Sequence, residues 1–270
     1  MNNFMQRTLS GALYVIIVIG SLLLGLKYFI PVFAIVTGVA LWEFYKNSLP
    51  DAPNLRLLGL LCGIFLYLVV AYSILQEGAL LRYLPYLFLL PYFLLLLGLF
   101  QPKEDNFKNA GLILLGLFYI VFPMMLLPGI EKLQLKGSGW SQLLGVFILF
   151  WVNDTGAYLS GRAFGKHPLF PQVSPKKTWE GLIGGVVLCL AAAWAYSLKS
   201  LSLDLKTWLV TGAIIAVFGT LGDLTESMWK RKIGIKDSGN IMPGHGGLMD
   251  RFDGFFIAIP VLYMYLVFLR

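Results

Sequence analysis

Apolar runs of about the length needed to cross a bilayer, roughly 20 residues, follow one another along almost the whole chain, separated by short polar stretches. Nine stand out: Leu9–Leu26, Phe29–Tyr45, Leu55–Leu75, Leu80–Phe100, Ala110–Ile130, Ser141–Ser160, Trp179–Leu198, Trp208–Met228 and Gly254–Leu269. The pattern predicts an all-α, polytopic integral membrane protein with about nine transmembrane helices. The first two runs are short and nearly contiguous, so they predict a tight hairpin. No internal repeat or low-complexity linker interrupts the series, which reads as a single membrane domain over 1–270. Its first 130 residues are mainly Leu-rich scaffold, and residues 141–270 hold nearly all the chemistry.

Composition agrees with the pattern. The chain is 58% hydrophobic and 13% charged, against roughly 45–50% and 25% in soluble domains. A globular surface needs charge; a lipid-facing surface does not. Arg7 followed by the run from Leu9 has the look of a signal sequence. No small-residue cleavage site follows and further spans do, so this run is expected to be the first, uncleaved helix. Cys62 and Cys189 both fall inside apolar runs at unrelated spacing and read as small core residues.

The net charge is +7, but the bases lie in loops between apolar runs. Membrane topology and phosphate ligands explain them better than nucleic acid does. With nine spans the loops alternate, and one side collects fourteen Lys and Arg against seven on the other. The positive-inside rule makes the richer side, with the N-terminus, cytoplasmic.

The polar residues concentrate in two C-terminal segments. The first, Trp151 to Gly181, opens with Asn153 and Asp154 directly after an apolar run. A carboxylate at such a place is costly and is expected to face a polar interior with a partner, or else to sit at a helix end paired with Arg162. Ser174, Pro175, Lys176, Lys177 and Thr178 follow. Ser174 as cap and Pro175 at the first helical position would put both lysines at a helix N-terminus, a good phosphate cradle. A plain basic anchor is the alternative, with Glu180 as charge balance.

The second segment, Gly222 to Asp253, carries Asp223 at the end of the eighth apolar run. On a helix Asp223, Ser227 and Lys230 share a face, and so do Asp250 and Asp253 if the last helix starts before them. Between them the stretch Pro243 to Gly247 cannot be helix interior, and its glycines let backbone amides approach a ligand. His245 suits either proton transfer or loop stabilisation, and His167 reads as a loop residue. Glu43, at the end of the second run, has no assigned role. Asp223, Asp250, Asp253 and Asp154 are hard oxygen donors that favour Mg²⁺ over Zn²⁺. Lys176, Lys177, Lys230, Arg231, Lys236 and Arg251 supply charge for phosphates. Acids and bases in a glycine-containing setting suit phosphoryl or nucleotidyl transfer.

Ser227 to Asp253, SMWKRKIGIKDSGNIMPGHGGLMDRFD, closely resembles the signature of phosphatidate cytidylyltransferases, or CDP-diacylglycerol synthases. The stretches NDTGAY, GRAFGK and SPKKTWEG look like a second region shared by that family. Trp229 departs from the signature, which usually has a smaller apolar residue or Phe there. The resemblance implies that CTP and phosphatidic acid give CDP-diacylglycerol and pyrophosphate. It also implies Mg²⁺ with a second cation such as K⁺, a bacterial inner (cytoplasmic) membrane, a site open to the cytoplasm and a homodimer. On that footing Asp223, Asp250, Lys230, Arg231 and His245 are the expected catalytic residues. Ser174, Lys176, Lys177, Thr178, Lys236, Gly246, Gly247 and Arg251 are expected on substrate phosphates, and Asp223, Asp250, Asp253 and Asp154 on metal. The rival readings are another CTP-using membrane enzyme, such as a lipid-alcohol kinase or an archaeal-lipid cytidylyltransferase, and a transporter. The transporter reading suffers because the first half has no counterpart to the polar motifs.

Overall fold

The computed structural model describes residues 3–76, 96, 106–133, 141–200, 202–242, 244 and 246–269. Among the described residues the α-helices are α1 (Asn3–Leu23), α2 (Leu26–Ser48), α3 (Pro53–Leu75), α4 (Asn106–Gly116), α5 (Phe122–Lys132), α6 (Gln142–Phe164), α7 (Trp179–Ser197), α8 (Leu205–Lys232) and α9 (Phe255–Phe268). A π turn, Leu117–Val121, joins α4 to α5, so these two run on as one apolar stretch. Pro123, just past this turn, removes the backbone donor that would have bonded Tyr119, which a locally widened helix accommodates. Eight of the predicted runs fall on this framework, and the run Leu80–Phe100 lies, but for Leu96, outside the described residues. Among the described residues six helices are long and apolar enough to cross a membrane, and two apolar helices are shorter. Large apolar side chains such as Ile16, Ile35, Phe118, Val187 and Met264 are exposed along them, as a lipid-facing surface requires.

The described residues form two compact units. One contains Met1–Pro128 together with the later segment Asp237–Met249. Within it Tyr45 is a wedge. Its ring fills space left by Gly59 and Gly116, where an added Cβ would come to 2.7 Å and 2.5 Å of the ring, and its hydroxyl donates to the Ile113 carbonyl at 2.7 Å.

The other unit contains Gly129–Lys236 and Asp250–Arg270. Ser141 caps α6 by accepting from the Leu144 amide at 3.1 Å, and Glu131 accepts from the Leu143 amide at 2.7 Å. These acceptors satisfy amides that a helix start leaves bare. Helices α6 and α7 pack closely because small residues line their seam. A Cβ on Gly156 would meet Leu188 at 3.0 Å, one on Gly185 would meet Asn153 Oδ1 at 2.8 Å, and one on Gly184 would run into Ser160. Phe255 of α9 stacks on Phe150 of α6 with ring centroids 3.8 Å apart.

One predicted detail is corrected. The segment Ser174–Thr178 is a strand, β2, paired antiparallel with β1 (Pro168–Phe170). It is not the start of a helix. The cause is local: a residue before proline is pushed out of the α region, so Ser174 continues extended. Thr178 is the true cap of α7, accepting from the Gly181 amide at 3.1 Å. The all-α class therefore holds except for this small hairpin. Helix α8 continues past Asp223 to Lys232, so Asp223, Ser227 and Lys230 do stand on one helix, as expected.

Candidate active site

In the second unit a cavity of about 510 Å³ opens between α6, the β hairpin, α7, α8 and the turn before α9. Four elements aim polar groups into it. Helix α6 contributes Asn153, Asp154, Tyr158 and Arg162; the strand β2 contributes Ser174, Lys176, Lys177 and Thr178. Helix α8 brings Asp223 and Thr220, and the turn brings Arg251 and Asp253. Acids and bases thus line one space, and the Lys177 ammonium lies directly against the Asp223 carboxylate.

Glycines make this convergence possible. A Cβ on Gly222 would come to 2.5 Å of the Asp253 carbonyl oxygen and 3.0 Å of Gly254 Cα, and one on Gly254 would come to 3.2 Å of the Gly219 oxygen. The turn therefore lies backbone to backbone on α8, which brings Asp253 to the wall that Asp223 occupies. Asp253 also caps the chain locally, accepting from the Gly254 amide at 2.7 Å. Its carboxyl is pushed well above the ordinary range by burial first, and then by the carboxylates of Asp223, Glu226 and Asp154. Like charges held this close raise one another's affinity for a proton or a cation.

The hairpin is held by Glu180 in the first turn of α7. It accepts from the Lys166 amide at 3.1 Å and the His167 amide at 3.3 Å, and lies 2.5 Å from His167 Nδ1. Both residues read at first as bystanders, and they close the loop that delivers the lysines.

The expected set does not all converge. Asp154, Asp223, Asp253, Ser174, Lys176, Lys177, Thr178 and Arg251 line the cavity. Asp250 and Lys230 do not. Met249–Arg251 is a turn of 3-10 helix and α9 begins only at Phe255, so Asp250 and Asp253 do not share a helical face as predicted. Asp250 accepts from Lys230 Nζ at 2.5 Å, and the same ammonium lies 3.2 Å from Glu226. Of the predicted stripe on α8, Ser227 does reach Asp223, donating at 3.3 Å, while Lys230 is taken by this buried pair. Arg231 and Lys236 are exposed outside the cavity lining. Gly246 and Gly247 belong to the other compact unit, and His245 lies outside the described residues. Asp154 has no ion pair with Arg162, which stands two turns further along α6 and contacts Tyr158 at 3.5 Å.

The reading of the sequence passed over Glu226, Thr220 and Tyr158. Glu226 carried a signal, since it is a carboxylate four residues before a lysine in an otherwise apolar helix.

The donor chemistry suits a hard divalent cation. Among the described residues no three Asp, Glu, His or Cys side chains close on a common point, so the chain offers part of a ligand shell. Mg²⁺ is commonly held by one or two carboxylates plus substrate phosphates, which is what Asp223, Asp253 and Asp154 beside Lys176, Lys177 and Arg251 provide for.

Fold and cavity together define a multi-pass membrane protein with an acidic–basic cavity suited to phosphorylated ligands. The chain belongs to the cytidylyltransferase family, whose sequence profile matches residues 5–269. It is 38% identical over 283 aligned positions to the phosphatidate cytidylyltransferase of Haemophilus influenzae, covering 94% of this chain and 96% of that one. It is 34% identical over 269 positions to the phosphatidate cytidylyltransferase of Bacillus subtilis, covering 97% of each.

Proposed function

We propose that this chain transfers the cytidylyl group of CTP to phosphatidic acid, giving CDP-diacylglycerol and pyrophosphate, as a step of phospholipid biosynthesis. The observation that carries the reading is the gathering of Asp154, Asp223 and Asp253 with Lys176, Lys177 and Arg251 in one cavity, in a chain that matches the family almost end to end.

A phosphatidate oxygen attacks the α-phosphorus of CTP; the new P–O bond forms as the α–β bridging P–O bond breaks, and pyrophosphate carries off the electron pair. A phosphate monoester is already largely ionised near neutrality, so no strong base is needed and no covalent enzyme intermediate is required. Lys176, Lys177 and Arg251 hold and orient the phosphates, which counts for most of catalysis in this chemistry. Mg²⁺, when bound, would supply charge neutralisation for the phosphates; one or two of Asp223, Asp253 and Asp154 would hold it, and K⁺ is the proposed second cation. Asp250 and Lys230 act one step back, as a buried pair that fixes the end of α8. The reading also takes the protein to be a homodimer in a bacterial inner membrane with the cavity open to the cytoplasm.

The test is turnover by purified, detergent-solubilised protein with labelled CTP, phosphatidic acid and Mg²⁺, counting chloroform-soluble label and released pyrophosphate in equal amounts. Label that moves only when another lipid acceptor is supplied would overturn the phosphatidate assignment.

A further inference from the structure

Glu43 is a carboxyl residue near the C-terminal end of apolar α2, only 3% exposed, and the reaction just described does not use it. Its two oxygens are occupied by the glycine-rich segment Ser238–Met249. Oε1 accepts from the Leu248 amide at 3.0 Å; Oε2 accepts from the Met249 amide at 2.8 Å and from the Ser238 hydroxyl at 3.0 Å. One turn on, Asn47 Nδ2 donates to the Ser238 carbonyl at 2.7 Å. The segment is shaped to admit the carboxylate. A Cβ on Gly239 would collide with Oε1, and one on Gly247 would stand 2.5 Å from Oε2. Gly244 and Gly246 take positive φ, 76° and 86°, and Met242 donates back to the Gly246 carbonyl at 3.1 Å, which closes the loop on itself.

We infer that Glu43 is a positioning residue: its carboxylate anchors the glycine-rich segment and so sets the backbone from which Asp250, Arg251 and Asp253 depart. Met249, whose amide it holds, Asp250 and Arg251 form one turn of 3-10 helix. An acid buried in an apolar helix is costly and rarely kept without a task. Here the task is to receive two adjacent backbone amides that a loop of this shape leaves without a backbone partner. Gln is nearly isosteric, but its amide nitrogen cannot accept, so one loop N–H loses its partner. Gly247→Ala attacks the same contact from the other side.

The inference rests on the cytidylyl-transfer reading for its kinetic arm. In Glu43→Gln and Gly247→Ala, kcat should fall on the order of 10–100-fold, the scale expected for displaced catalytic groups. KM for CTP and for phosphatidate should stay near wild type, and the melting temperature should stay within a few degrees. Hydrogen exchange at Leu248 and Met249 should speed up while α6–α8 stay protected. Glu43→Asp, which keeps both acceptor oxygens on a shorter stem, should recover part of the rate. Wild-type kcat and wild-type exchange in both variants would overturn the inference. Activity lost only in proportion to unfolded protein would overturn it too. Were wild type itself inactive, the proposed reaction would fall, and the exchange measurement would still decide whether Glu43 is the anchor.

Discussion

Two regions of this protein put carboxylates in or beside apolar helices, and they treat them in opposite ways. In the first unit Glu43 is saturated, with three donors on two oxygens and glycines cut away to fit it. In the second, Asp154, Asp223 and Asp253 line an open cavity, with one another as neighbours and Lys177 as counter-charge. A saturated carboxylate has spent its acceptors on the fold. Clustered carboxylates around a cavity keep theirs for a ligand, and the fold bears their mutual repulsion. The difference separates architecture from chemistry more sharply than residue type does, since all four are acids in the same kind of apolar surroundings.

The largest effect is expected where the comparison is most direct. Asp223→Asn should lower turnover by roughly 10³-fold, the scale for removing a group that stabilises charge at the reacting centre. It should not lower the melting temperature in detergent, because one of several like charges has been neutralised. Turnover above a tenth of wild type would remove Asp223 from the reacting centre. A lowered melting temperature would show that its carboxylate serves the fold as Glu43 does.

Lys230 tests the middle ground. Its ammonium sits between Asp250 and fully buried Glu226. Lys230→Met should destabilise the protein by about 3–5 kcal/mol, the range for removing one partner of a buried pair. Adding Glu226→Gln should restore part of that by removing a stranded charge. Thermal unfolding of the single and double variants reads both. Unchanged stability with lost turnover would return Lys230 to the phosphates, where the sequence first placed it.

What the sequence disclosed follows from range. Apolar runs of bilayer length are local and unmistakable, so among the described residues helices stand where eight of the nine runs predict them. Asp154, Asp223 and Asp253 mark themselves as acids in or beside spans that ought to be free of them. Ser174–Thr178 was misread because two local rules compete at Pro175: proline favours a first helical turn, while its ring forbids α geometry to the residue before it. Asp250 and Asp253 were wrongly phased because a 3-10 turn and Gly254 separate them from α9. Glu43 could not be read at all, since its partners lie 195 to 206 residues away in the chain.

The smallest effect concerns the wall that holds the cavity's carboxylates in place. Asp154 and the α7 end of the hairpin keep their spacing only if α6 and α7 stay in close contact, and that contact depends on Gly184 facing Ser160. A methyl on Gly184 has no room, because the obstacle is the short Ser160 side chain, Cβ as well as Oγ, on a packed helix and not the tip of a flexible one. Gly184→Ala should therefore cost about 1–3 kcal/mol, the range for overpacking, and lower turnover modestly by spreading the cavity. Ser160→Gly made in the same chain opens the space on the facing helix, so the double variant should recover most of both losses. Recovery of stability without activity would mean that the Ser160 hydroxyl acts in the cavity. Recovery of neither would mean that α6 and α7 do not meet along this seam, and the cavity's acids would need another support.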